Sequence, residues 1–142
     1  MTSHNKHLTR DVSQNANGAP GIVRESIKVL QECAELQDKK SRDYQNPNSR
    51  IKQADYYPRG VSTILDTVNA KVLRMWSVIE AMENDPEYKP NFESIEDSAK
   101  DIINYCSFIV AYCRGKVPGQ DPNKDFLNRE IKQLTKEKSD EV

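Results

Sequence analysis

The sequence predicts an all-α protein. Three observations lead there. Apolar residues recur at helical spacing in three long runs, each bounded by Pro, Gly or Asn-rich punctuation. No segment shows clean two-residue alternation, and no internal repeat is present. The expected architecture is a bundle of three long helices, a weaker C-terminal helix and a flexible N-terminal arm. The chain has 142 residues, the size of one domain. Three helices of this length need a fourth helix or a second subunit to close their core, so a homodimer is expected.

Residues 1–19 are rich in Ser, Asn, Thr and Gly and read as the flexible arm. Residues 20–118 form the expected helical domain, and 119–142 a C-terminal helix and tail. The first helix starts near Pro20, which suits a first turn, and runs to about Arg42. Val23, Ile27, Leu30 and Ala34 give it an apolar face. Asp43 to Ser49 is loop chemistry, followed by a connector containing Tyr56, Tyr57 and Pro58. The second helix spans about Ser62 to Asn84, with Ile64, Leu65, Val68, Val72, Met75, Ile79 and Met82 as its stripe. Pro86 and Pro90 bound the next loop. The third helix runs from about Glu93 to Arg114, with Gly115 at the C′ position that favours left-handed backbone. A last helix, about Lys124 to Lys138, has only Phe126, Leu127, Ile131 and Leu134 as anchors.

Composition narrows the function classes. Basic and acidic residues number 21 and 22, a net charge of −1, which argues against a generic nucleic-acid-coating surface. Charge is uneven locally: Asp38 to Arg59 holds six basic and three acidic residues, Glu80 to Asp101 eight acidic and two basic. Mean hydropathy is −0.83. No apolar run is long enough to cross a membrane, and the first twenty residues lack the apolar stretch of a secretory signal. Three cysteines without a C-x-x-C pair speak against a disulfide framework and a cysteine zinc site. A cytoplasmic setting is the expectation.

The third helix carries the densest chemistry. At about 100° per residue, Ile95, Ala99, Ile102, Cys106, Ile109, Val110 and Cys113 fall on one side. Asp97, Asp101, Asn104 and Phe108 fall opposite, flanked by Tyr105 and Tyr112. The first set reads as the core face, the second as a crevice. Its carboxylates can hold a divalent cation or accept from Arg and Lys. Its amide can read a base edge or a phosphate, and Tyr105 or Phe108 can stack on a base. An ion-pair network to the second helix, through Lys71 or Arg74, answers the same pattern.

Other candidates are weaker. Glu32 and Glu35 form an E-x-x-E pair on the side of the first helix away from its apolar face, which also fits a solvated surface. His4 and His7 lack a third ligand. Cys33, Cys106 and Cys113 lie on apolar faces as core residues. Neither common phosphate-loop motif occurs. The basic connector interleaves Lys39, Lys40, Arg42, Arg50 and Arg59 with Tyr44, Tyr56 and Tyr57, a mixture suited to a phosphorylated small molecule or to a plain solvated loop.

Three segments carry a resemblance. Lys39-Lys40-Ser41-Arg42-Asp43-Tyr44 resembles the end of the first helix in the nucleotide modification associated domain 1 family. Asn69-Ala70-Lys71-Val72-Leu73-Arg74 is similar to that family's second-helix segment. The run Asn91 to Tyr105, with Glu93, Ser94, Glu96, Asp97, Asp101 and Tyr105 in order, resembles its hallmark. The match covers about residues 25–115. Gln45 stands where the family often has Gly, and the long insert with Tyr56, Tyr57 and Pro58 is a place for specificity that the family pattern does not predict.

The resemblance implies a helical, phage-type domain in the cytoplasm of a bacterial host, associated with nucleotide or DNA-base modification. It points to Lys40, Asp43, Tyr44, Lys71, Arg74, Asn104 and Tyr105 for a nucleotide and its phosphates, with Glu93, Asp97 and Asp101 beside them. Asp97 and Asp101 are the candidate metal ligands. A more distant likeness is to all-α nucleoside triphosphate pyrophosphohydrolases. It would add Glu32 and Glu35 and a magnesium ion, although Ser98 occupies the position that family fills with a carboxylate. Three readings follow: a nucleotide-binding protein, a magnesium-dependent pyrophosphohydrolase, and a sponge for a nucleotide defence signal. A bundle that only binds a protein partner is the fourth.

Overall fold

In the computed structural model, residues 23–44, 46–90 and 93–131 are described. They are all-α: helices α1 (Glu25–Tyr44), α2 (Val61–Asn84) and α3 (Ile95–Cys113), with a short 3-10 turn, Gln53–Tyr56, in the connector. No strand occurs among them, only an isolated bridge between Lys124 and Glu130. No helix among the described residues is long and apolar enough to cross a membrane. The expected arm, residues 1–19, lies outside the described residues.

The chain divides into two units, Met1–Ser41 and Arg42–Val142. The first holds most of α1. The Arg24 carbonyl accepts from the Ile27 and Lys28 amides, so α1 begins after Arg24; Pro20, where the sequence predicts the start, lies outside the described residues. The helix continues through Asp43 and Tyr44, two residues later than expected. Its buried position is Cys33, 2% exposed, whereas Ile27 and Leu30 of the predicted stripe are exposed. The face is rotated from the one that periodicity suggests.

In the second unit, α2 and α3 pack against each other. Val61 and Ile64, in the first turn of α2, share a core with Tyr112 near the end of α3. Lys71, further along α2, meets Asp101 in the second turn of α3. The two helices are therefore antiparallel. The core is completed by Ala54 and Tyr57 of the connector and Val117 beyond α3, with Val68, Tyr105, Phe108, Ile109 and Leu127 packed around it.

The expected C-terminal helix does not begin at Lys124. Residues 124–130 form a turn instead, Ile131 is helical, and 132–138 lie outside the described residues. The cause is local. The Asp125 carboxylate accepts from the amides of Leu127 and Arg129 and from Arg129 Nε, a competitor that Asp offers to helical bonding. Asn128 sits at φ +58°, which interrupts a helix. In return the turn docks. Val61 donates to the Phe126 carbonyl at 2.9 Å. Asn128 donates to the carbonyls of Tyr57 and Pro58, each at 3.0 Å, and accepts from the Tyr112 hydroxyl. The turn is thus docked on the α2–α3 core through Leu127 and the bonds of Phe126 and Asn128.

Asn128→Ala removes all three of those bonds and the side chain that, among residues with a Cβ, best tolerates positive φ. The expected loss is about 2–3 kcal/mol, read as a lower urea midpoint at unchanged m-value. Asn128→Gly, which keeps the backbone, is expected to lose less. An Asn128→Ala chain as stable as the parent would show that the turn is not part of the folding unit.

Candidate functional site

The third-helix start is set by its cap. Ser94 Oγ accepts from the Asp97 amide at 3.0 Å, and the Asp97 carboxylate accepts from the Ser94 amide and hydroxyl. This reciprocal arrangement satisfies two otherwise orphaned donors. The bonds from Ser94 hold the Asp97 carboxyl below its ordinary range. They also fix Glu93, one residue earlier, at the mouth of the α2–α3 pair.

Around Glu93 a four-residue cluster forms. Lys71 Nζ is 2.7 Å from Glu93 Oε1 and 3.0 Å from Asp101 Oδ2. Arg74 donates from Nη2 to the Glu93 carbonyl at 3.0 Å. Its Nε lies 3.0 Å from Glu93 Oε2, off the hydrogen-bond axis. Lys71, Glu93 and Asp101 are about a quarter exposed and Arg74 somewhat more. Burial disfavours the Lys71 ammonium, but bonds to Glu93 and Asp101 outweigh it and raise its pKa. Glu93 is lowered, chiefly by its bond to Lys71 and against the cost of burial. Ser98 Oγ is buried without an aligned partner and acts on that carboxylate as a nearby dipole.

Residues of both faces of the third helix are covered, the mixed face more fully than the apolar one, which contributes Ile109 to the core. Ser98, Asn104 and Tyr112 are the helix's buried residues, Asp101 faces Lys71, and Tyr105 and Phe108 pack on the core. Cys106, Val110 and Cys113, placed on the core stripe by sequence, are exposed. The supposed crevice is the packed side, closed by the lysine of α2 and by aromatic rings. Tyr105 and Phe108 pack on each other edge to face, centroids 5.9 Å apart.

Glu32, Glu35, Lys40 and Asp43 are exposed on α1, and of Tyr44 only the backbone is described. Asp97 is exposed and engaged by its cap. Asp101 and Glu93 enclose an ammonium, which stands where a divalent cation would compete. No group of three His, Cys, Asp or Glu among the described residues is placed to hold a metal ion. Both carboxylates of the cluster are engaged by Lys71 in this arrangement. Sequence passed over Asn128 and gave Glu93 no role in the fold. A signal for Glu93 exists: it directly precedes the Ser94 cap, which fixes where it points. Compared with protein-family models, curated proteins and solved structures, the chain matches none of them.

Proposed function

We propose that this chain binds a nucleotide or a nucleotide-derived small molecule and serves nucleotide or DNA-base modification of phage type. One observation carries the reading. Lys71 and Arg74 from one resembling segment, and Glu93 and Asp101 from another, converge on a single partly exposed cluster. Within it the charges divide the labour. Lys71 is matched by two carboxylates and serves as a positioning residue. Arg74 shares one carboxylate and uses Nε and Nη2 toward Glu93, so its Nη1 edge has no protein partner among the described residues. A guanidinium edge of this kind suits a phosphate oxygen, and the flanking carboxylates suit ribose hydroxyls.

The test is incubation of the chain with magnesium and a pool of nucleotides that includes cyclic dinucleotides, followed by mass spectrometry of free and retained species. A nucleotide retained unchanged, and lost in Arg74→Ala while the fold persists, supports the proposal. A new monophosphate in the free fraction would instead promote the pyrophosphohydrolase. No retained nucleotide and no product would sink both and leave the cluster as a structural clamp.

A further inference from the structure

Among the described residues, one face of α2 is apolar and exposed. Leu65, Leu73 and Trp76 are 51%, 60% and 58% exposed. They fall on one side of the helix with Asn69, Val72, Glu80 and Glu83, in the three- and four-residue steps of a helix-pairing seam. The face is also polar end to end in a particular sense. Arg59 lies at its N-terminal end, held along the helix by Asp66, and Glu80 and Glu83 lie exposed at the other end.

We propose that this face pairs with a second copy of the same chain, α2 against α2, antiparallel about a two-fold axis near Ala70 and Lys71. The pattern is self-complementary under that operation, as an isologous interface requires. Leu65 of one copy meets Trp76 of the other, twice, and Asn69 lies opposite Val72. Arg59 of each copy reaches Glu83 and Glu80 of the other, and the helix dipoles run in opposite directions. A parallel pairing would instead bring the glutamates together and leave both arginines without an acidic neighbour across the seam. Exposed rings of Trp rank among the strongest anchors when an interface covers them. The pairing uses none of the groups assigned to the nucleotide, so the two proposals stand or fall separately.

Sedimentation equilibrium of the full chain over the micromolar range tests it, with fluorescence of Trp76, the one tryptophan in the chain, as a second readout. The expected result is a reversible dimer whose formation shifts Trp76 emission to shorter wavelength. Leu73→Glu is expected to weaken association by roughly a hundredfold or more, with unchanged helical circular dichroism because the residue is exposed. Glu80→Lys with Glu83→Lys is expected to weaken it by about tenfold, and adding Arg59→Glu to restore it. A chain that stays monomeric overturns the proposal. So does a dimer indifferent to Leu73→Glu, or a blue-shifted monomer whose emission depends on residues 132–142, which would assign the face to the chain's own C-terminal segment.

Discussion

Replacing Gly60 by alanine is expected to lower the unfolding free energy by about 3–4 kcal/mol. Gly60 caps α2 at φ +60° and ψ −130°, a region essentially closed to residues with a Cβ. Space is lacking as well as conformation. A Cβ there would lie 2.2 Å from the Phe126 carbonyl oxygen and 3.1 Å from a Tyr112 ring carbon. That carbonyl is the acceptor for the Val61 amide, so relief of the clash means pulling the 124–130 turn away from the core. Gly115 provides the control. It too has positive φ, +69°, but a Cβ there meets nothing within 4 Å. Gly115→Ala is therefore expected to cost only about 1 kcal/mol. Urea unfolding of both variants decides the matter: equal losses would mean that backbone strain alone acts at Gly60 and that the turn yields freely.

The second large effect is expected at Lys71. Lys71→Met removes one ammonium and leaves two carboxylates facing each other across the α2–α3 seam. Breaking a fully buried pair costs about 3–5 kcal/mol; a quarter exposure admits solvent screening, so about 2 kcal/mol is expected here. The pH dependence identifies the mechanism. Glu93 is depressed in the folded state below its ordinary 4.5. Its stabilisation is therefore complete above that value and disappears as pH falls through the depressed one. Lys71 is raised above 10.5, so its contribution is complete below that value and is lost as pH rises through the raised one. The parent should show a stability plateau between the two and a decline on either side. Lys71→Met should flatten the acid limb, because the main cause of the Glu93 depression is gone. Stability curves for parent and variant that run parallel from neutral pH into acid would refute the assignment.

These expectations bear on what the motif residues are for. An Asp or Glu beside a Lys in a sequence motif reads equally as ligand site or as clamp. Here Lys71 lies between Glu93 and Asp101, and the clamp is built whether or not a ligand arrives. Arg74 is where the two roles can be separated, since its substitution removes one shared ion contact while exposing no second carboxylate. Binding lost in Arg74→Ala at nearly unchanged stability would mark a ligand contact. Stability lost in step with binding would mark another clamp residue.

Much of the fold was legible from near-neighbour chemistry. The unbroken apolar run after Gly60 placed the second helix within one residue of Val61–Asn84. Gly115 at positive φ closes α3 as its position suggested. These features depend on residues three or four apart, and a single chain displays them. Even the Lys71–Asp101 pair was open to view as one of two answers to the acidic face, because charges facing one another across a seam need partners.

Sequence left three features undetermined, and each needed distant parts of the chain brought together. Periodicity defines two faces of the third helix but does not say which one packs. Tyr105, Phe108 and Tyr112 bury more area than Cys106, Val110 and Cys113, and the lysine of α2 stands opposite Asp101, so the mixed face went inward. The residues after 123 have a helical pattern, yet Asn128 bonds to a connector some seventy positions earlier, and that docking outweighs local propensity. Gly60 looks like an ordinary turn residue until the Phe126 carbonyl is placed against it. Local spacing determined the helices and their ends; long-range packing decided which faces they bury, because buried area and charge pairing are properties of pairs of segments and not of either one.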